Sequence, residues 1–307
     1  MEKTSRKKLF PVLAAAGVLI SAVVVAVAGC AIDPFAEDLA AYAPAGTNGI
    51  CRINGKKISQ NKVVKAWQKT LAYEKMANDA KKEGIDLTAL LQGEGYVFAG
   101  KVDTEISDKV SGVYRDRNGQ AKKIQEIVAK DGKNDFKDVA AAMLNENTVA
   151  FTRKGAAPLV KGKVPALAAA LDRNALISSV SKIELTDEQK KLFESEQAQM
   201  FKDIVIGLDK LNISLCEIGD DLELKLEGEY KNAEEAKKAN ESLIALRKLG
   251  ETFTQGEETK DIADVLKKIE ISARDKKITI ALKYPMDKII ALIEEQDKKY
   301  RAEAKAK

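Results

Sequence analysis

The chain of 307 residues contains no histidine. That absence excludes Ser-His-Asp and Cys-His catalysis and removes the commonest metal ligand. Aromatic residues make up only 5% of the chain, with a single tryptophan, while charged residues make up 32%. Such a balance fits a solvated, helix-rich α+β protein better than a carbohydrate-binding surface. There are three cysteines, Cys30, Cys51 and Cys216. Concentrated positive charge is also lacking: three of the four units of net charge sit in the first eight residues, where Lys3, Arg6, Lys7 and Lys8 oppose Glu2. A near-neutral body gives no electrostatic case for nucleic acid, which demands clustered phosphate-neutralising side chains.

What is present at the N-terminus is more specific. After the basic residues, Leu9 to Ala28 run without a charge and end at Val27-Ala28-Gly29-Cys30. An aliphatic residue, two small residues and a cysteine in that order resemble the lipobox of bacterial lipoproteins. The resemblance covers the first thirty residues. It implies a signal peptide over 1–29, cleavage before Cys30, and acyl chains (palmitate among them) on that cysteine. Small side chains at Ala28 and Gly29 let the backbone enter a peptidase site, and the Cys30 thiol is the nucleophile that takes the diacylglycerol. More than one acyl chain makes such an anchor stable. By the family's sorting rule, Ala31 in place of an aspartate favours the outer over the inner membrane, with the protein facing the periplasm. An uncleaved membrane-spanning helix and an ordinary signal peptide are the other readings, since the apolar run is long enough to span. With Cys30 acylated, Cys51 and Cys216 remain; an oxidising compartment permits a bridge between them, though two lone cysteines on strand-like segments are more often buried, unbridged small hydrophobes.

Residues 30–48, with Pro34, Pro44 and Gly46, read as a tether. Two α+β halves are then expected, 49–173 and 174–307, each a mostly antiparallel sheet with helices on one face. In the first, Gly49 to Ile53 reads as a strand, Val63 to Ala80 as one helix, Tyr96 to Val102 and Val110 to Arg115 as a strand pair. Ala140–Leu144 and Thr148–Thr152 flank a turn, and Val164–Leu171 reads as a closing helix. In the second, Thr186-Asp187-Glu188-Gln189 is a capping box opening a helix that runs through Leu192, Phe201 and Leu208. Ile213–Ile218 and Leu222–Tyr230 form a hairpin whose leucines alternate with charges, so one face is expected to be buried and one wet. Asn232 caps a helix ending at Gly250. Ile269–Ala273 and Ile278–Tyr284 form a second hairpin, and a last helix follows Pro285, with a frayed tail after Ala302. The body resembles, in this order of elements only, uncharacterised exported lipoproteins with duplicated α+β halves.

No catalytic, cofactor-binding or metal-binding residue is nominated. Ser59 with Lys62, and Ser179 with Lys182, match S-x-x-K but lack the S-D-N and K-T-G elements that give that motif meaning. Gly93, Gly95 and Gly100 miss the dinucleotide spacing. Asp131 to Asp135 clusters oxygen ligands, yet the twelfth position of a calcium loop would be Ala142. Trp67 shares a helix face with other apolar residues and is expected to pack in the core. The expectation is therefore a non-enzymatic, membrane-tethered envelope module that binds a partner or serves a structural role. Alternatives are a lipid- or small-ligand-binding envelope protein and a carboxylate-dependent hydrolase.

Overall fold

The structure is a computed structural model that describes residues 38–100, 110–130, 138–153, 156, 158–193, 199–253 and 260–305. The signal peptide, Cys30 and the Asp131–Asp135 cluster lie outside the described residues. The protein is α+β. Its strands are β1 (Gly49–Asn54), β2 (Glu94–Ala99), β3 (Val110–Arg115), β4 (Val139–Asn145), β5 (Thr148–Arg153), β6 (Ile177–Lys182), β7 (Leu208–Ile218), β8 (Asp221–Tyr230), β9 (Ile269–Arg274) and β10 (Lys277–Pro285). Where two sheets are expected from the sequence, the strands hydrogen-bond as one ten-stranded sheet in the order β4-β5-β3-β2-β1-β6-β7-β8-β10-β9. Antiparallel registers include β1 with β2, β2 with β3, β3 with β5, β4 with β5 and β9 with β10.

Two compact units divide the chain differently from the expected halves. A large unit takes the described residues of Gly29–Val180, Ser214–Leu222 and Tyr284–Lys307, and a small unit takes those of Ser181–Ile213 and Glu223–Lys283. The final helix, Met286–Lys305, belongs to the large unit because it packs on the helix Lys62–Trp67. Two contacts fix that packing. Asn61 donates from its amide to Glu217 at 2.8 Å and touches the buried Met286 sulfur, while Asp297 accepts the Leu71 N–H at 2.7 Å. The tail expected to fray is helical through Lys305, and Arg301 on it donates to Asp297 and to the Lys69 carbonyl.

The large unit has the deeper core. Leu39, Ile50, Tyr96, Phe98, Val113 and Val180 are among twelve buried residues in one cluster. Part of the span read as a tether is buried. A 3-10 helix at Leu39–Tyr42 is buried along its whole length and joins the core, while Pro44, Ala45 and Gly46 after it are exposed. Asp38 caps it by accepting the Ala40 N–H at 3.0 Å, and Arg173 grips the same carboxylate at 2.6 Å. The single helix expected over Val63–Ala80 is instead Lys62–Trp67 and Leu71–Lys82. Thr70 explains the break, because its hydroxyl accepts the Tyr73 N–H and starts a new helix. Trp67 packs edge-on against Tyr73, with ring centroids 4.9 Å apart. The helix expected at Val164–Leu171 is a 3-10 turn at Ala166–Ala170 behind Pro165.

In the small unit the capping box forms as expected. Thr186 accepts the Gln189 N–H, and the Gln189 side chain accepts the Thr186 N–H. The helix does not run on to Leu208: Gln199–Val205 is helical, and Gly207 at φ +106° turns the chain into β7. A Cβ there would stand 2.7 Å from the Glu235 carboxylate, so the turn requires glycine. The leucines of β8 do not alternate cleanly. Leu224, Glu223 and Lys225 are all half-buried, because Glu223 and Lys225 are partly covered by their ion partners Lys283 and Glu227. The helix Ala233–Phe253 passes Gly250, where Leu266 packs close, and a further helix, Lys260–Lys267, follows. The buried cluster is small: Tyr230, Ala236, Ala239 and Ile278.

Candidate functional site

The most conspicuous polar constellation lies in the large unit, at one end of β1, β2 and β3. Their antiparallel register sets Glu94 opposite Arg115 and one step diagonally from Arg52. Arg52 donates from Nε to Glu94 at 2.7 Å, and the Arg115 guanidinium stands 3.8 Å away. Burial pushes the Glu94 carboxyl up to about 7, and the two guanidinium groups hold it from rising further. A second pair runs alongside. Burial works to raise the Asp38 carboxyl, but the Arg173 contact, the Ala40 N–H and the Tyr96 hydroxyl outweigh it and hold the group below the usual range.

Arg115 and its successors form part of the wall of a cleft of about 480 Å³. Lys56, Ser59 and Gln60 come from the helix Gly55–Gln60, Gln68 from the break before Leu71, and Thr88 from the helix Leu87–Leu90. Gln92, Gly93 and the turn Arg115–Asn118 complete it. The acidic member, Asp116, is committed to structure. Its two oxygens accept the N–H groups of Asn118, Gln120 and Ala121 at 2.6, 3.0 and 2.6 Å, satisfying the start of the helix Gln120–Lys130. Lys56, Arg115 and Arg117 outnumber Asp116, so the charged residues lining the cleft are net positive. Its hydroxyls and amides offer hydrogen-bond partners to a polar ligand.

The chemistry required of a carboxylate hydrolase is two acids facing each other across a cleft. Glu94 carries the raised pKa, but arginines are its partners, and Asp116 is spent on backbone N–H groups. Ser59, the first serine matching S-x-x-K, lines the cleft and donates to the Lys56 carbonyl, while Lys62 turns to Asp220 at 2.7 Å. Ser179 lies on β6, and Lys182 pairs weakly with Glu184. Neither lysine faces its serine as a base. Among the described residues no group of three or more His, Cys, Asp or Glu side chains could hold a metal ion, and no helix is long and apolar enough to cross a membrane.

Cys51 and Cys216 are both free thiols. They stand on β1 and β7 with β6 between them, and two inter-strand spacings separate the backbones by ~9.5 Å. A disulfide spans no more than about 7 Å between Cα atoms. The possible bridge is thereby excluded in this fold. Burial pushes the Cys51 thiol up to about 11, and Cys216 donates to Asp172 at 3.5 Å.

No family model matches the chain, and no curated protein matches it. Among solved structures, crystal forms of a protein named TP0453 are similar. Crystal form III shares 8% identity and covers 84% of this chain and 98% of its own at a TM-score of 0.46. Crystal form I shares 9%, with coverage of 86% and 98% at 0.41, and crystal form IV shares 8%, with 83% and 96% at 0.41. The likeness brings no residue of this chain into a functional role.

Proposed function

We propose that this is a lipoprotein of the bacterial cell envelope, anchored through acylated Cys30, whose body is a non-enzymatic binding or structural module. The observation that carries the reading is Val27-Ala28-Gly29-Cys30 at the end of an uncharged run preceded by basic residues. Ala31 after the cysteine supports the outer membrane, facing the periplasm. The protein meets its membrane by lipid, needs no cofactor and binds no nucleic acid. Metabolic labelling with an alkyne fatty acid tests the anchor. The wild-type chain takes up label and fractionates with membranes, and Cys30→Ser loses the label. Persistence of both label and membrane association in Cys30→Ser overturns the reading.

The basic cleft favours a more specific form of binding: a small, polar, anionic ligand held by Lys56, Arg115 and Arg117. Calorimetric titration of the acylated protein in detergent with glucose 6-phosphate, and with glucose as the neutral control, is the direct test. Binding of the phosphate ester alone, weakened about tenfold or more in Lys56→Ala with Arg117→Ala, supports the cleft, since each lost charged hydrogen bond is worth about 1.5–3 kcal/mol. Equal responses to both sugars, or an unchanged affinity in the double variant, remove it.

A further inference from the structure

Val160 is 75% exposed, the most exposed large apolar side chain among the described residues, and Val164 is 38% exposed. Isolated apolar residues at a surface are ordinary. The placement of these two is not. They flank Gly162, whose N–H donates to the Ala41 carbonyl at 2.8 Å, and each lies within about 8 Å of it along the chain. Ala41 sits in the buried 3-10 helix just downstream of the anchor cysteine. From Cys30 to Asp38 is eight peptide steps, which span at most about 28 Å. Asp38 is gripped by Arg173, so no further chain pays out beyond it. The segment that leaves the lipid and the loop bearing the exposed valines are thus joined by a backbone hydrogen bond.

The loop has the composition of an interfacial contact. In Pro158-Leu159-Val160-Lys161-Gly162-Lys163-Val164-Pro165 the only charges are Lys161 and Lys163, both exposed, and there is no acid. Leu159 is buried and holds the loop to the core, and a proline at each end restricts the backbone. Apolar tips flanked by lysines suit the boundary between acyl chains and anionic headgroups.

We propose that the loop 158–165 is a second membrane contact, seating Val160 and Val164 at the headgroup–acyl boundary of an anionic bilayer with Lys161 and Lys163 on lipid phosphates. The proposal rests on the reading that Cys30 is acylated. The contact would hold the body in one orientation on the bilayer, where a lipid alone would leave it free to tumble.

The test uses the full acylated chain, in a Cys216→Ser background, reconstituted in vesicles of phosphatidylethanolamine and phosphatidylglycerol. A nitroxide is attached through Val160→Cys, or as a control through Glu83→Cys. Collisions with oxygen, which partitions into lipid, are compared with collisions with a water-soluble nickel chelate. The oxygen-to-nickel ratio at position 160 is expected to exceed that at 83 several-fold, and Lys161→Glu with Lys163→Glu should return it toward the control. A water-like ratio at 160, with acyl chains present on Cys30 by mass spectrometry, overturns the loop and leaves the anchor standing. A nitroxide at 160 that is immobilised by a co-purifying protein overturns it equally. Absence of acyl chains on Cys30 overturns the anchor reading and the loop with it.

Discussion

The large and small units use the same kinds of strand and helix but bury their apolar residues to different depths. In the large unit Phe98, Tyr114 and Val113 are essentially inaccessible, and helices close over the strands. In the small unit Leu224 and Leu226 of β8 are only half-buried, and among the described residues the buried cluster is two alanines, a tyrosine and an isoleucine. Few buried contacts among the described residues mean low local stability, so amide hydrogen exchange is expected to show the small unit opening first. One pair of helix starts shows a difference in polar satisfaction. Asp116 serves three N–H groups at a helix start in the large unit, whereas Asn232 serves one in the small unit.

The largest effect that could break this contrast is truncation. Phe98→Ala should lower stability by about 3–5 kcal/mol in denaturant titration, while Leu224→Ala should cost about 1 kcal/mol because the leucine is only half-buried. Equal costs would mean the two cores are not different in kind. Next, Asp116→Ala should cost about 1–3 kcal/mol by stranding N–H groups, and Asn232→Ala about 1 kcal/mol. Amide hydrogen exchange would place the first loss in the helix Gln120–Lys130 and the second in Ala233–Phe253.

A pH series sharpens the contrast further. Glu94 binds its proton more tightly folded than unfolded, so its contribution is full below pH 4.5 and is lost as pH rises through about 7. Stability should fall across that window by at most about 1.4 kcal/mol per pH unit, and Glu94→Gln should flatten the profile. A profile that rises across the window in the wild type, or a slope unchanged in Glu94→Gln, would assign the burial effect to another group. The smallest effect belongs to the β9–β10 turn, where Asp275 holds φ at +54°. Asp275→Gly should raise the melting temperature slightly, through a gain of less than about 1 kcal/mol.

Local signals were readable in the sequence where one short segment determined the outcome. Val110–Arg115 is a strand as its pattern implies, and the Thr186–Gln189 box caps its helix with both bonds. Signals failed where a residue's role depends on something distant. Leu39–Tyr42 reads as part of a Pro- and Ala-rich tether until its burial against Tyr96 and Phe98 is seen. The final helix reads as part of a second half, and contacts from Asn61 and Leu71 draw it into the other unit. The cleft was invisible because its lining comes from segments as far apart as Lys56 and Asn118. Glu94 is one of 47 acidic residues, and only burial beside two arginines distinguishes it. Neither a motif nor a spacing marks such a group.

The clamp of Asp38 by Arg173 also has a mechanical meaning. Among the described residues, a pull on the chain from its N-terminal side reaches Asp38 first and passes into Leu39–Tyr42, which is buried in the core of the large unit. The force is therefore delivered first to the core of the large unit.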